Sequence, residues 1–338
     1  MPTQNPFQSF ILFLFILFNT SCSDSRLDID VSEIEVKIEF DRLDRKLINT
    51  PPEKMPEAHI DFANEYGELY QSFVEVMLRE GPVYSKQTAI GMQKFISNTE
   101  IKDIFQEINS VFPETTFRKS EFENAFKHYK HYFPNDTLPK VVGYYSNFNA
   151  RALSFNSTLA IGLDMYLGPE NRLVKRIPNQ NLPQYFKDKM DSDYLVSDAM
   201  KIYLHNKYLE NIGDDFLSQI LSLGKIMYLL DACMPEEEDW KKMGFSKTEN
   251  DWCENNEDQI WAYVINEKLL FSVNQESIAN FTNVGPNTKG LPQEAPSRIG
   301  IWLGWQMIKD YMGENSAVTI PEMMAETNSK KILKFYKP

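Results

Sequence analysis

Histidine is the side chain best suited to bind zinc or to move a proton near neutral pH, and this sequence has four. The zinc-peptidase signature H-E-x-x-H, which places two histidine ligands one helical turn apart with a glutamate base between them, does not occur. His128 and His131 have helical spacing, but Lys127 and Lys130 stand beside them and their positive charge opposes a bound cation. The sequence therefore predicts neither a metal ion nor a cofactor.

Other catalytic arrangements are also missing from the sequence. No G-x-S-x-G turn presents a serine nucleophile, and neither of the common glycine-rich phosphate-binding patterns occurs. Neighbouring carboxylates, such as Asp214 with Asp215 or Glu254 with Glu257, are typical of the solvated surface of an acidic protein. We therefore expect a protein without catalytic activity.

The segment LSLGKIMYLLDACMP, residues 221–235, has the pattern of a buried helix. Its apolar face comprises Leu223, Ile226, Met227, Leu230 and Cys233. Gly224 in this helix indicates that another element comes close to its backbone. Lys225 then lies in a helix packed on both sides, so we expect its ammonium group to reach solvent or to pair with a carboxylate such as Glu257 or Asp231.

A second unusual helix is predicted in APSRIGIWLGWQMI, residues 295–308. Gly300 and Gly304 lie one turn apart on one face, and glycine inside a helix costs about 1 kcal/mol relative to alanine, which indicates a second backbone pressed against this face. Trp302 and Trp305 flank that seam. Core packing alone and a ligand groove would both explain the pattern, and Arg298 would lie at the edge of such a groove.

Overall charge and composition limit the classes of partner. With 338 residues, of which 42% are hydrophobic, the chain is long enough to bury a sizeable core. Lys and Arg total 35 against 48 for Asp and Glu, which gives a net charge of -13. Such a surface disfavours nucleic acid and anionic lipid, and long-range electrostatics favours a basic partner.

The N-terminus has the features of an export signal. Residues 10–18, FILFLFILF, are apolar but too few to span a bilayer as a helix. NTSC follows, and its Cys22 resembles the lipidated cysteine of bacterial lipoproteins, although Asn19 replaces the usual leucine and no Lys or Arg precedes the apolar run. We predict a lipoprotein signal peptide over residues 1–21 and a lipid anchor on Cys22 in the cell envelope, facing the periplasm, with a plain secretory signal as the alternative.

Export would place the two other cysteines in an oxidising compartment. Cys233 and Cys253 could there form a disulfide between the end of the buried helix and the following segment. Free buried thiols are an equal alternative, because the sequence does not set the distance between the two residues.

Hydrophobic periodicity predicts an α+β fold. Residues 22–39 are polar and acidic, and we interpret them as a tether. Helical spacing dominates the N-terminal and C-terminal parts of the remaining chain. Between them, LPKVVGYYS and ALSFNSTLAIGLDMYLG have the alternation and the β-branched content of adjacent strands. The prediction is a single domain over residues 40–338, mainly helical around a small central β-sheet.

Four segments together resemble the gliding-motility lipoprotein GldB family of Bacteroidota. They are FDR from Phe40, LGKIMYLLDACMP, WCENNEDQIWAYVINEKLLFS and APSRIGIWLGWQMIKDYM, and the likeness runs from about Phe40 to Met312. Cys22 agrees with it, because members of this family are lipoproteins. The resemblance implies an envelope protein of the gliding and type IX secretion apparatus, with partners among the other proteins of that apparatus.

That family is similar in turn to zincin-like proteases, which have H-E-x-x-H in the equivalent helix. On that pattern Gly224 occupies the first histidine position, Lys225 the glutamate position and Tyr228 the second histidine position. Glycine offers no ligand atom, lysine is a cation where a base is needed, and a lone tyrosine rarely holds zinc. The resemblance therefore implies a degenerate zincin-like architecture. The former cleft would be lined by Lys225, Tyr228, Glu257, Arg298 and Trp302.

Two other functions stay open at the level of sequence. A divergent hydrolase acting on peptide or peptidoglycan would need carboxylate metal ligands, and stoichiometric bound zinc would reveal it. A peptidoglycan-binding module would need its tryptophan-rich face exposed to solvent. The primary expectation is a non-catalytic envelope lipoprotein that acts through protein–protein interaction.

Overall fold

The computed structural model describes residues 26–338, so the predicted signal peptide and Cys22 lie outside the described residues. Helices account for most of this part of the chain, and four strands form one mixed sheet. The predicted α+β class, mainly helical with a small sheet, is confirmed. One hydrophobic core joins buried side chains from Leu27 to Ile332.

The elements are numbered in chain order. The strands are β1 (Phe40–Arg42), β2 (Lys140–Tyr144), β3 (Ala152–Phe155) and β4 (Thr158–Gly162). The helices before β2 are α1 (Leu43–Asn49), α2 (Met55–Tyr66), α3 (Glu68–Gln71), α4 (Lys86–Ser97), α5 (Thr99–Val111) and α6 (Lys119–Tyr132). The helices after β4 are α7 (Arg172–Arg176), α8 (Gln184–Lys187), α9 (Leu195–Tyr208), α10 (Phe216–Cys233), α11 (Asp239–Met243), α12 (Lys247–Asn255), α13 (Glu257–Asn266), α14 (Gln275–Thr282), α15 (Ile299–Glu314), α16 (Ile320–Ala325) and α17 (Ser329–Leu333). A π-helical stretch, Ser72–Met77, continues α3.

The sheet has the strand order β1-β2-β4-β3. β2 lies in parallel between β1 and β4, with Val141 opposite Phe40 on one side and Leu159 on the other. Parallel pairing requires a long crossover, which α1 to α6 supply between β1 and β2. The second strand region of the sequence is a hairpin, because the chain turns at residues 156–157 and β3 pairs antiparallel with β4. β2 therefore neighbours β4 and not β3, the strand that follows it in the chain.

Capping side chains set the start of several helices near the centre of the molecule. The Asp215 carboxylate accepts a hydrogen bond from the Ser218 amide at the start of α10, and Ser246 and Glu249 form a capping box at the start of α12. α15 differs from both. It follows Arg298, whose backbone is left-handed with φ of 64°, and no side chain caps it.

α10 is the central helix of the C-terminal half. Every residue of α10 except Gln219 and Leu223 is buried, and the helix packs chiefly against α15, with α6, α9 and α14 also in contact. By length and composition α10 could cross a membrane, and it is the one helix of the described part of the chain that could. Its burial among other helices gives it instead the environment of a core helix.

Glycines bring α10 and α15 into backbone contact. A Cβ atom on Gly224 would lie 2.3 Å from the carbonyl carbon of Gly304, and one on Gly304 would lie 2.0 Å from the carbonyl oxygen of Ile220. The predicted close approach is confirmed at both helices. Trp302 is 2% exposed and Trp305 is completely buried, so core packing explains this part of α15 and no ligand groove lies there.

Candidate functional site

The α10 positions that would correspond to a metal site are occupied by packing and by internal hydrogen bonds. Gly224 is covered by the backbone of α15. Lys225 is 2% exposed, and its ammonium group donates hydrogen bonds to the backbone carbonyl of Met324, at 3.2 Å, and to that of Glu326. Burial lowers the pKa of Lys225, while the charges of Glu326 and Glu210 act in the opposite direction.

The expected pairing of Lys225 with Asp231 or Glu257 is wrong. Asp231 binds Lys242 instead, and Glu257 accepts a hydrogen bond from the Tyr336 hydroxyl at 2.9 Å. Residues six apart on a helix lie on different faces, so Lys225 and Asp231 point to different neighbours. The actual partners of Lys225 are the carbonyls of Met324, in the last turn of α16, and of Glu326, directly after it, about 100 residues later in the chain.

The other residues predicted to line one cleft do not gather in one place. Tyr228 is 1% exposed and contributes to the wall of a large cavity at the end of α10. Lys225, Glu257, Arg298 and Trp302 are not part of that wall. The cleft predicted from the zincin-like pattern is therefore not assembled from these residues.

Metal ligands are not grouped in the described part of the chain. Within residues 26–338, no three or more His, Cys, Asp or Glu side chains are arranged to hold a metal ion. His59 is completely buried, with hydrogen bonds to the Tyr70 hydroxyl and the Val83 carbonyl. His128 shares a hydrogen bond with the Asn124 carbonyl of its own helix.

Cys233 and Cys253 are separate thiols in this structure, and both are completely buried. Of the two alternatives drawn from the sequence, the structure has free thiols. Burial raises the pKa of each thiol, so neither provides a reactive thiolate near neutral pH.

A cavity of about 1080 Å³ opens at the C-terminal end of α10, and we call it the acidic cavity. Its volume is comparable with that of sites that hold small ligands or peptide side chains. Cationic residues of its wall are Lys127, Lys242 and Lys309, with His128 beside them. The carboxylates of its wall are Asp28, Asp30, Asp231, Glu236, Glu237, Glu238, Asp239 and Asp310. Negative charge therefore predominates in this cavity.

A network of ion pairs, buried at Asp231 and Lys242 and partly exposed at Asp239 and Lys309, forms part of the wall of the acidic cavity. Asp231 accepts from Lys242 at 2.6 Å and from the Trp305 indole at 2.6 Å. Asp239 accepts from Lys242 at 3.1 Å and from Lys309 at 2.8 Å. Burial raises the pKa of Asp231 against the effect of Lys242, whereas at Asp239 the two lysines outweigh burial and lower the pKa. Both carboxylates are already paired, so their role here is to join α10, α11 and α15.

The rim of the acidic cavity carries the carboxylates that face solvent. Glu236, Glu238, Asp28 and Asp30 are exposed. Glu238 lies 3.3 Å from the Lys247 ammonium group, but both side chains are at least half exposed and such pairs contribute little to stability. The rim can therefore exchange these weak internal contacts for the positive charges of a partner.

The N-terminal segment of the described chain forms one wall of the acidic cavity. Residues 27–32 line it, and Leu27 and Val31 are buried at 7% and 8% exposure. Arg26 donates hydrogen bonds to the carbonyls of Met312 and Val318, at 2.5 Å each, which fixes the segment to the end of α15. The part of the predicted tether after residue 25 is thus packed against the domain.

Sequence reasoning missed the acidic cavity. The run PEEED at residues 235–239 is a visible signal, but by itself a run of carboxylates indicates only a solvated acidic turn. In the structure this run lines the same cavity as residues 27–32. The sequence does not reveal this proximity, because the two segments are about 200 residues apart in the chain.

Comparison with protein families gives one match over nearly the whole chain. A family model described as gliding motility protein GldB matches residues 24–338. This range contains all of the described residues, and so both the acidic cavity and α10. Comparison with curated proteins and with solved structures found no match.

Proposed function

Because this chain belongs to the gliding motility protein GldB family, we propose that it is a non-catalytic, lipid-anchored envelope protein that serves gliding and the associated type IX secretion apparatus by binding another protein. The partner would be a protein of that apparatus with a Lys- and Arg-rich segment, which docks in the acidic cavity. The observation that carries the proposal is the predominance of carboxylates in this cavity of about 1080 Å³, with an exposed rim.

Charge complementarity supports a basic partner. The whole chain has a net charge of -13, so its field attracts cations over distances of about 8 Å, the Debye length at physiological ionic strength. Glu236 and Glu238 add exposed negative charge at the cavity mouth. Lysine and arginine side chains entering there would meet carboxylates without first breaking the buried Asp231 network.

The state of α10 supports a non-catalytic role. Gly224 is in contact with the backbone of Gly304, which leaves no room for a ligand at that position. Lys225 is held by two backbone carbonyls, and Asp231 and Asp239 are neutralised by lysines. None of these groups is placed to activate a water molecule or to act as a nucleophile.

The path of the N-terminal segment supports an anchor close to the binding site. Arg26 is fixed to the end of α15, and Cys22 is four residues earlier in the sequence. Four residues span at most about 14 Å. A lipid on Cys22 would therefore hold the acidic cavity near the membrane surface, where the proteins of an envelope apparatus are found.

Charge reversal at the rim tests the proposal. The double variant Glu236→Lys and Glu238→Lys, expressed from the native locus, should abolish or strongly reduce colony spreading while the protein level stays normal. The physical reason is that two exposed carboxylates become cations and repel the basic segment. Thermal unfolding should change little, because both side chains are solvent exposed.

The matched control is Glu57→Lys with Asp61→Lys, which makes the same charge change on exposed residues of α2. This control should spread like the wild type. Normal spreading of the rim variant, or equal loss in both double variants, would contradict a docking role for the acidic cavity.

The alternative enzymatic function is tested by metal content. We expect the purified full chain to contain zinc well below one equivalent and to keep its melting temperature after treatment with a chelator. Stoichiometric zinc that is lost on chelation, with a fall in the melting temperature, would favour a divergent hydrolase instead.

A further inference from the structure

A concentration of positive charge adjoins α11, separate from the wall of the acidic cavity. Arg151, Lys189, Lys201 and Arg298, which we call the cationic cluster, meet where α9, α12 and the start of α15 come together. The link to α11 is direct, since Lys201 donates to the carbonyl of Lys242 at 2.7 Å. In a chain with a net charge of -13, four cations at one place need an explanation.

The carboxylates at the cationic cluster neutralise only part of this charge. Asp198 accepts from Arg151 at 2.7 Å and from Lys201 at 3.2 Å, so one carboxylate serves two cations. Glu249 pairs with Lys189 at 2.7 Å. Two positive charges remain in excess. Arg151, Lys189 and Lys201 are 17%, 19% and 20% exposed, so the cluster is largely shielded from water and still reachable from it.

Arg298 supplies an unused hydrogen-bond donor at this place. One guanidinium nitrogen donates to the Gly244 carbonyl at 3.0 Å, and the guanidinium lies over the Phe245 ring at 5.5 Å. Its Nε is buried and has no acceptor. A buried donor without an acceptor costs free energy, so the position is poorly explained by packing alone. The left-handed backbone at Arg298 holds the side chain there, directly before α15.

Mutual repulsion acts among the cations. Burial, together with the nearby charge of Arg298, lowers the pKa of Lys201 to about 8, and burial and the same neighbour lower that of Lys189. α15 begins without a side-chain cap, so the positive end of its dipole adds to the field at Arg298. A bound anion would reduce the repulsion among these cations and would interact favourably with the positive end of the α15 dipole.

We propose that the cationic cluster is a binding site for a phosphoryl group. A guanidinium presents donors in a planar arrangement that suits two oxygens of one oxyanion, and a phosphate monoester or inorganic phosphate carries nearly two negative charges near neutral pH. This charge equals the local excess of cations. A cavity of about 620 Å³ meets the cluster at Lys189 and Glu249. Its wall offers Trp252 for contact and hydrogen-bonding side chains to the hydroxyl groups of an organic phosphate, namely Asn255, Asn256, Asp188, Asp251 and Glu294.

The site is independent of the acidic cavity, and phosphate binding tests it directly. The purified full chain in a non-ionic detergent is titrated with inorganic phosphate at about pH 7. Isothermal calorimetry and thermal unfolding are read against sodium chloride of equal ionic strength. We expect saturable binding and a raised melting temperature with phosphate and neither with chloride. Absence of a saturable, phosphate-specific effect overturns the proposal.

Variants assign the effect to the cationic cluster. Arg298→Gln and, separately, Lys201→Gln should weaken phosphate binding by about ten- to a hundredfold, as expected for the loss of a charge-assisted hydrogen bond. Arg172→Gln on α7 is the control, because Arg172 is an exposed arginine paired with Asp103 and Glu107, and it should bind like the wild type. Undiminished binding in both cluster variants overturns the assignment.

The source of the phosphoryl group is distinguished by a second titration with glycerol 3-phosphate. Tighter binding than that of inorganic phosphate indicates an organic phosphate whose remainder contacts the adjoining cavity. Equal or weaker binding indicates free phosphate. Replacing Trp252 with alanine should reduce the affinity for glycerol 3-phosphate alone in the first case.

Discussion

At the scale of single residues, Gly224 and Lys225 show that packing and internal hydrogen bonds occupy α10 where the zincin-like pattern predicted a degenerate metal site. Gly224 has no side chain, so the backbone of α15 packs directly against it. Lys225 donates to two carbonyl oxygens at the C-terminal end of α16. Both positions therefore serve packing. The residues that contact them are distant in the chain.

Replacing Gly224 with alanine should destabilise the protein by about 2 kcal/mol or more, because the new methyl group meets the backbone of Gly304, which has no rotamer to change. Chemical denaturation of the purified protein measures this change. The control is Gly313→Ala in α15, where a Cβ meets nothing within 4 Å, and it should be neutral or stabilising by up to about 1 kcal/mol. Equal stability of the two variants would show that the helix seam is looser than this contact requires.

Replacing Lys225 with methionine removes the donor that the carbonyls of Met324 and Glu326 share. We expect faster amide hydrogen exchange in residues 324–333, because the end of α16 and the residue after it lose their hydrogen bonds to α10. Lys334→Met, at an exposed lysine nearby, should leave exchange in this segment unchanged. Unchanged protection in the Lys225 variant would mean that apolar contacts such as that of Ile332 hold the segment by themselves.

At the scale of elements, a loop carboxylate joins α6 to α9. Asp136 accepts hydrogen bonds from Tyr129 of α6 and from Tyr208 of α9, at 2.8 Å for the latter, and pairs with Lys207 at 2.7 Å. Burial alone would raise the pKa of Asp136, but these donors outweigh it and hold the pKa at about 2. The unfolded value for aspartate is about 3.9.

The depressed pKa of Asp136 gives a defined pH dependence. A carboxylate with a lowered folded pKa contributes stability that is fully present above about pH 4 and is lost as the pH falls toward 2. Urea unfolding over this range should show a steeper loss for the wild type than for Asp136→Asn. Asp61→Asn, an exposed site on α2, should follow the wild type. Parallel curves for the wild type and Asp136→Asn would place the acid sensitivity in other carboxylates.

At the scale of the whole molecule, two oppositely charged sites both adjoin α11. The acidic cavity includes residues 27–32 and the end of α10, and the cationic cluster includes α9 and the start of α15. In the proposed function the acidic cavity binds a basic protein segment close to the membrane. The cationic cluster would bind a phosphoryl group whether or not the acidic cavity is occupied.

Replacing Cys22 with alanine should release the protein from the membrane fraction, because a lipid on this cysteine is the proposed anchor. Fractionation followed by immunoblotting measures the distribution, with Cys253→Ala as the control at a buried thiol. Loss of spreading should accompany the release, since the acidic cavity is then no longer held at the membrane. Unchanged fractionation of the Cys22 variant would contradict lipidation.

The sequence by itself determined the properties that depend on local pattern. Helical periodicity gave α10 and α15, the paired glycines gave their close contact, and the strand-like alternation gave the central sheet. Each of these follows from side chains a few residues apart. The family resemblance likewise depended on short segments, and the match over residues 24–338 confirms it.

Only the tertiary structure decided which charged side chains meet. Lys225 binds carbonyls about 100 residues away, Trp305 binds Asp231 at a separation of 74 residues, and Arg151 binds Asp198 at a separation of 47. Hydrophobic periodicity does not predict such pairs, because they depend on how helices that are distant in the chain pack against each other. The acidic cavity and the cationic cluster are both made of contacts of this kind, for which the sequence of an acidic protein offers many equivalent partners.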